Sequence, residues 1–395
     1  MTRRKKALAA LMVLLLTAAA GLYAFGFFDP RPDPAFEDKI AASAKPAIEP
    51  LIAGEAERLD VSALSVFIQT GEDPGEALHF GRSRPEGLFQ AASLSKAVAA
   101  ATILTLAQRE GVGLDEDIRP QITSLDIAAL EGGDRPITLR QLLSHTTGAS
   151  QSGYLGYPRE EKLPSTADII ADPPRFFEFA LAFNGEPGVM RYSGGGYTIA
   201  QLWAEDVAGA DFAEIAQSLV LGPVGMTHST FVQPIDEKGE PPGAIIGADT
   251  KFGLQRALFP TLDNGWHNYP EQAAAGMWTT PQDYARFAAS VLDAAQGADT
   301  AIAQPVAKAM VSAQVETGWE SGPQSYGLGL MLDIADDGAL IQVSHSGGNI
   351  GYRCYFIARP ARDGLPRKIV VVMGNTGSAA PLTRALASGL MRRRD

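Results

Sequence analysis

A single cysteine, Cys354, stands in this chain of 395 residues, so no internal disulfide can form and any stable domain must rest on its core. Cys354 falls in an apolar stretch, Tyr352 to Ala358, where it reads as a small packed hydrophobe rather than a reactive thiol. Basic charge is scarce as well. Against 45 Asp and Glu there are 33 Lys and Arg, and the net charge of −12 excludes a nucleic-acid footprint. The five histidines show no HExxH or related metal spacing. No GxSxG elbow exists, which argues against an α/β-hydrolase, and no Walker or dinucleotide glycine pattern appears. Internal repeats and low-complexity tracts are absent too. What is present is an ordinary globular composition, 46% hydrophobic and 20% charged, with ample length for one large mixed domain or two medium ones.

The N-terminus is a separate object. Arg3, Arg4, Lys5 and Lys6 precede an uncharged, mainly apolar run from Ala7 to Phe28. As a helix this run would span roughly 33 Å, enough for a bilayer core. The basic flank should stay cytoplasmic. Residues 1–28 are therefore expected to be a signal anchor in a bacterial inner membrane, with the remainder periplasmic. The alternative is secretion after cleavage at Ala18-Ala19-Ala20, with Ala7 to Thr17 as the apolar core of a signal peptide. The anchor is preferred because the apolar run continues past that point. Hydrophobic residues do not directly follow Arg3-Arg4, so a twin-arginine signal fits less well, and no lipobox cysteine is present. Residues 29–35 form a stiff, proline-rich linker.

Beyond the linker, Phe36 to Leu59 carries apolar residues at helical spacing, and Val61 to Gln69 and Ala77 to Gly81 read as strands. From about residue 114 to 311, helices and loops dominate: Leu139 to Leu143, Thr166 to Phe183, Tyr197 to Val207, Asp211 to Leu219 and Pro281 to Ala294. Strand character returns at Tyr326 to Leu332, Leu340 to Val343, Tyr352 to Ala358 and Lys368 to Met373. Pro381 to Met391 closes the chain as a helix whose three following arginines suit a helix C-terminus. Strands at both ends of a helical middle predict one domain, 36–395, with a sheet assembled from remote segments and a helical insert at about 114–311. Groups from both ends and the middle could then meet in a cleft.

Ser93-Leu94-Ser95-Lys96 opens an apolar stretch, Ala97 to Ala107, that reads as a buried helix. Residues three apart share a helix face, so Lys96 lies over Ser93. In the first turn, free N–H groups and the helix dipole favour a developing negative charge at Ser93. No acid stands three or four residues from Lys96 to pair with it. The spacing suits a serine nucleophile with an amine that accepts or relays its proton. A helix N-cap is the plainer role for such a serine. With 22 Ser and 10 Lys, chance alone supplies about 0.6 such spacing, so the pair needs context.

Two further segments supply it. Arg191-Tyr192-Ser193-Gly194-Gly195-Gly196-Tyr197 puts a tyrosine on a glycine-rich loop just before a helix. His345-Ser346-Gly347-Gly348-Asn349-Ile350-Gly351-Tyr352 puts glycines at the junction between two strands. With these segments the sequence resembles the penicillin-recognising serine hydrolases, in particular the class C β-lactamase and DD-peptidase branch with its esterase relatives. The resemblance runs from roughly Phe36 to Met391. Leu142 to Gly148, Leu221 to Met226, Ala275 to Pro281 and Tyr326 to Gly329 support it by their order and spacing.

The resemblance implies a mixed α/β (α+β) fold of the β-lactamase/transpeptidase type: an antiparallel sheet flanked by helices plus an all-helical subdomain. It implies a small-molecule or peptide substrate and no cofactor; a monomer without metal is expected, and the expected periplasmic location alone adds cell-wall fragments as possible substrates. Ser93 would become acylated, and Lys96 and Tyr192 would share the proton traffic, with Lys96 expected to lower the Tyr192 pKa from its usual value near 10. Backbone N–H groups of Ser93 and Gly348 would hold the oxyanion, and His345, Ser346, Gly347 and Gly194 would bind substrate. His145 falls in a segment that the resemblance treats as a structural loop. Two departures stand out: Gly194 replaces the usual asparagine, and His345 replaces the usual lysine. An imidazole is mostly neutral at pH 7, so a fixed cation for a carboxylate is missing. Both changes count against an efficient β-lactamase and leave acyl transfer intact. The expectation is a serine hydrolase acting on a small ester, amide or D-amino-acid peptide. The alternative is a non-catalytic cell-envelope binding or regulatory module that keeps the fold, a reading that Gly194 holds open.

Overall fold

Strands β1 (Ala63–Thr70) and β2 (Glu76–Gly81) come early in the chain, and the short β3 (Phe89–Gln90), β4 (Tyr157–Pro158), β5 (His267–Asn268) and β6 (Trp278–Thr279) from its middle. The last six are β7 (Val315–Glu316), β8 (Ser325–Tyr326), β9 (Met331–Ile334), β10 (Leu340–Asn349), β11 (Tyr352–Arg359) and β12 (Lys368–Gly374). Eight of them form one antiparallel sheet in the order β2-β1-β12-β11-β10-β9-β8-β7, while β3 pairs with β6 and β4 with β5. Early and late segments therefore share one sheet, as the strand distribution predicts, and β1 and β12 are neighbours next to its β2 edge, with Phe67 opposite Val371. This is a computed structural model, and it describes residues 32–173, 180–235, 243–248, 265–320 and 322–393. The expected anchor over residues 1–28 lies outside them. Among the described residues no helix is long and apolar enough to cross a membrane.

Both faces of the central strands are buried, and their side chains divide by the two-residue period of a strand. On β12, Ile369, Val371 and Met373 join the core under the helical middle, and Val370 and Val372 join a second core on the opposite face. That second core is closed by helices α1 (Phe36–Ala42), α2 (Lys45–Arg58) and, from the other end of the chain, one spanning Ala379–Arg392. Between them in sequence lie α3 (Ser95–Glu110), α4 (Leu139–Leu143), α5 (Thr166–Ala171), α6 (Gly194–Ala208), α7 (Phe212–Ala216), α8 (Pro281–Ala295) and α9 (Gln304–Val311), which makes the C-terminal helix α10. Helix α3 is the spine of the main core: Ala97 to Leu104 are all buried.

Four boundaries differ from the sequence reading, each for a local reason. The single helix expected over Phe36 to Leu59 is broken at Ser43 and Ala44, whose backbone is extended ahead of Pro46. The helix from Thr166 stops at Ala171, because Asp172 precedes a proline pair that disfavours further helix. The strand expected over Tyr326 to Leu332 splits around Gly329, which has φ +85° and sits where a Cβ would meet the Lys96 carbonyl at 2.9 Å. Strand β10 runs on through the glycines to Asn349, so the hairpin turn is Ile350-Gly351 rather than the Gly347-Gly348 pair.

Candidate active site

Ser93 lies in a 3-10 turn, Ala92–Leu94, immediately ahead of α3. The turn is entered from β3 and pinned by the Ala91 N–H, which donates to the Met277 carbonyl at 2.8 Å. Ala92 has φ +49°. This left-handed conformation costs an alanine roughly 1–2 kcal/mol and persists only where its surroundings enforce it. Strand β10 is part of that enforcement. A Cβ on Gly347 would stand 2.3 Å from the Ala91 carbonyl oxygen, so glycine is what lets the strand press its backbone onto the serine turn.

Lys96 follows one helical turn later and is 2% exposed. Its Nζ donates to Ser93 Oγ at 3.1 Å and to the Ala274 carbonyl at 2.7 Å. It also lies 5.1 Å from the centre of the Tyr192 ring. Neither hydrogen-bond partner is a carboxylate, and burial lowers the lysine pKa from 10.5 to about 7. Near neutral pH this amine can accept a proton.

Tyr192 stands on the loop before α6, partly exposed, and its phenol shares a hydrogen bond with Ser93. The expected lowering of its pKa is not what the structure gives. Burial raises the phenol above its usual 10 and outweighs the opposing pull of the Ser93 hydrogen bond. A lysine that sheds its own charge in the same pocket has little left with which to stabilise a phenolate.

The structure brings Ser93, Lys96 and Tyr192 together and treats the other candidates unequally. Ser346 and Gly348 are exposed on β10, as a surface that could meet a ligand must be. Together with Gly347, Trp319, Arg353 and Arg384 they border a pocket of about 400 Å³. His345 is corrected as a substrate-gripping group: it is fully buried, and burial together with the Lys96 charge pushes its pKa down to about 3. Gly194 is corrected likewise. It is buried, and a Cβ there would lie 3.0 Å from the Tyr154 ring, so a side chain at this position would have to displace that ring slightly. Gly347, which also borders that pocket, makes the close approach at Ala91.

Several supporting residues carry no local sequence signal. The π-helical turn Gln272–Gly276 aims the Ala274 carbonyl at Lys96 and the Ala275 carbonyl at Asn349 Nδ2, 3.1 Å away. Asn349 donates also to Gln90 Oε1 at 2.9 Å, tying the end of β10 to β3 just ahead of Ser93. Cys354 is buried on β11 with its thiol pKa raised by burial, and it donates to the Gln90 carbonyl, as a packed small residue would.

An eight-stranded antiparallel sheet, helices on both faces and a serine-lysine-tyrosine cluster at the start of the central helix define the β-lactamase/transpeptidase class of fold. The chain belongs to the β-lactamase family, whose profile matches residues 48–388. It is similar to Esterase EstB of Burkholderia gladioli, 25% identical over 350 residues that cover 78% of this chain and 83% of the esterase. Among solved structures it is similar to the D-amino acid amidase of Ochrobactrum anthropi SV3, with a TM-score of 0.67 at 18% identity, covering 88% of this chain and 97% of that one. The octameric penicillin-binding protein homologue of Pyrococcus abyssi superposes with a TM-score of 0.64 at 22% identity, covering 87% of this chain and 76% of that one. At these identities the two structures establish the fold.

Proposed function

We propose that the protein is a serine hydrolase working through an acyl-enzyme at Ser93. One observation carries the reading: a partly exposed serine hydroxyl lies 3.1 Å from a buried lysine whose amine is substantially neutral near pH 7. Ser93 Oγ attacks the substrate carbonyl carbon while its proton passes to Lys96 Nζ. Amide groups of Ser93 and Gly348 hold the resulting oxyanion, each such donor typically contributing about 2.7–4 kcal/mol. Tyr192, protonated at neutral pH, gives its proton to the departing group and is reprotonated from Lys96. Water then repeats the sequence in reverse roles and frees the acid. An esterase and a D-amino acid amidase among the similar proteins support a small ester or amide as substrate.

A fluorophosphonate probe tests the nucleophile. The wild-type protein should be labelled and Ser93→Ala should not. Equal labelling of both would overturn the assignment, and failure to label either would favour the binding-module alternative.

For a substrate carboxylate, we place the cation at Arg384 of α10 rather than at His345; Arg353 of β11 already donates to the Asn349 and Tyr352 carbonyls. Arg384 borders the pocket over Ser346 and Gly348, which adjoins the proposed oxyanion donor Gly348 and is not lined by Ser93, Lys96 or Tyr192. A charge-assisted contact of this kind is worth about 1.5–3 kcal/mol, so Arg384→Ala should raise KM for a carboxylate-bearing ester about tenfold or more. The matching neutral ester should be unaffected. An equal rise for both would remove the role.

A further inference from the structure

Two segments singled out in the sequence, Leu142 to Gly148 and Tyr326 to Gly329, take no part in the reaction as drawn. The structure nevertheless joins one residue of each beneath the site. The Ser193 amide donates to His145 Nδ1 at 3.1 Å. His145 Nε2 lies 3.1 Å from Tyr326 Oη, and the same oxygen lies 3.1 Å from His345 Nε2. His345 Nδ1 lies 2.7 Å from the Ser346 carbonyl. His145, Ser193, Tyr326 and His345 are at most 1% exposed.

The two ends of this chain fix its direction. A backbone N–H can only donate, so His145 Nδ1 is an acceptor and its proton is on Nε2. A carbonyl can only accept, so His345 carries its proton on Nδ1 and leaves Nε2 as an acceptor. Tyr326 therefore receives from His145 and donates to His345. We propose that Tyr326 is a positioning residue that bridges His145 and His345, two rings whose neutral tautomers are set by their backbone partners, and so holds β10 in register with the Tyr192 loop.

The connection matters because its two ends carry reacting groups. Ser193 follows Tyr192 directly, and the His145 ring lies 4.3 Å from the Tyr192 ring, centre to centre. Gly348 is three residues beyond His345 on the same strand. His145 itself has φ +61°, an unusual backbone for a histidine and a sign that its surroundings hold this orientation. Facing His345 are Tyr326 of β8, Tyr192 of the loop and, through space, Lys96 of α3. Facing His145 are Tyr192, Tyr197 of α6 and Tyr326, with Lys96 and His345 acting through space. Lys96 is the one lysine or arginine among these groups, so a proton on either ring would stand against its charge. Locked neutral rings thus leave Lys96 free to set the protonation state of the site.

Long-range 15N–1H correlation of the histidine rings tests the chain directly, and five histidines keep the spectrum tractable. In the wild-type protein His145 should appear as the Nε2–H tautomer and His345 as Nδ1–H, both unchanged from pH 5 to 8. The opposite tautomer for His345, or titration of either ring in that interval, would overturn the proposal. In Tyr326→Phe, both rings should keep these tautomers while the Nε2 shifts of His145 and His345 move, because the hydroxyl they share is gone. The variant's kcat for p-nitrophenyl acetate should fall tenfold or more, with KM within threefold. Unchanged Nε2 shifts together with an unchanged kcat in that variant would also overturn it. Only the kinetic arm rests on the proposed hydrolase activity. The ring spectra can be read on Ser93→Ala protein, and they decide the matter even if the tyrosine variant fails to fold.

Discussion

The two faces of the sheet are built from different materials. The outer face, under α1, α2 and α10, is mostly aliphatic, with Ile40, Ile52, Val66, Val370, Val372, Leu382 and Leu386 in one core, and its buried polar residues Glu55, Lys368 and Thr383 bond to Arg58, the Arg393 carbonyl and the Ala380 carbonyl rather than to one another. The inner face carries the same periodic apolar residues and, at one edge, Lys96, His145, Tyr192, Tyr326 and His345 in mutual contact. One face is there to hold the sheet. The other spends buried polar groups to place a serine, a lysine and a tyrosine within reach of one another.

Substitution at matched depth should separate the two. Lys96→Met replaces a fully buried polar group with an apolar one of similar size, and it should cut turnover by about 10²- to 10⁴-fold while leaving the protein folded. Leu386→Ala opens a cavity on the outer face and should cost about 2–5 kcal/mol in stability, with turnover per folded molecule unchanged. Chemical denaturation beside active-site titration measures both quantities. If Leu386→Ala lost turnover and Lys96→Met lost only stability, the division would be wrong. A smaller effect follows from the lysine alone. Its folded pKa of about 7 is below the 10.5 of the unfolded chain, so between those values the unfolded state holds the extra proton. Wild-type stability should accordingly rise relative to Lys96→Met as pH increases from about 7 to about 10.5, and show no relative change below that window.

The same contrast decides what the sequence could reveal. Outer-face helices and central strands follow from apolar spacing, and a single sheet drawn from both ends of the chain follows from where strand character falls. Ser93, Lys96 and Tyr192 are visible as motifs, and the structure brings them together. What escapes is whatever depends on a three-dimensional neighbour. Gly347-Gly348 looks like a turn in sequence and is strand, because the close approach is to Ala91 and not to a local bend. The Tyr192 pKa reads as lowered if Lys96 is assumed charged, and burial of both groups reverses that. Tyr326 carries no hint of its role, since its two partners lie 181 and 19 residues away.

The central claim is that Lys96, as a neutral amine, takes the Ser93 proton. Its most direct test is the pH dependence of the acylation burst with p-nitrophenyl acetate in rapid-mixing experiments. The burst rate should rise with pH through a single ionisation near 7 and then level off. A rate that shows no inflection near 7 and climbs instead through an ionisation at 10 or above would assign the proton to the Tyr192 phenolate and contradict the account.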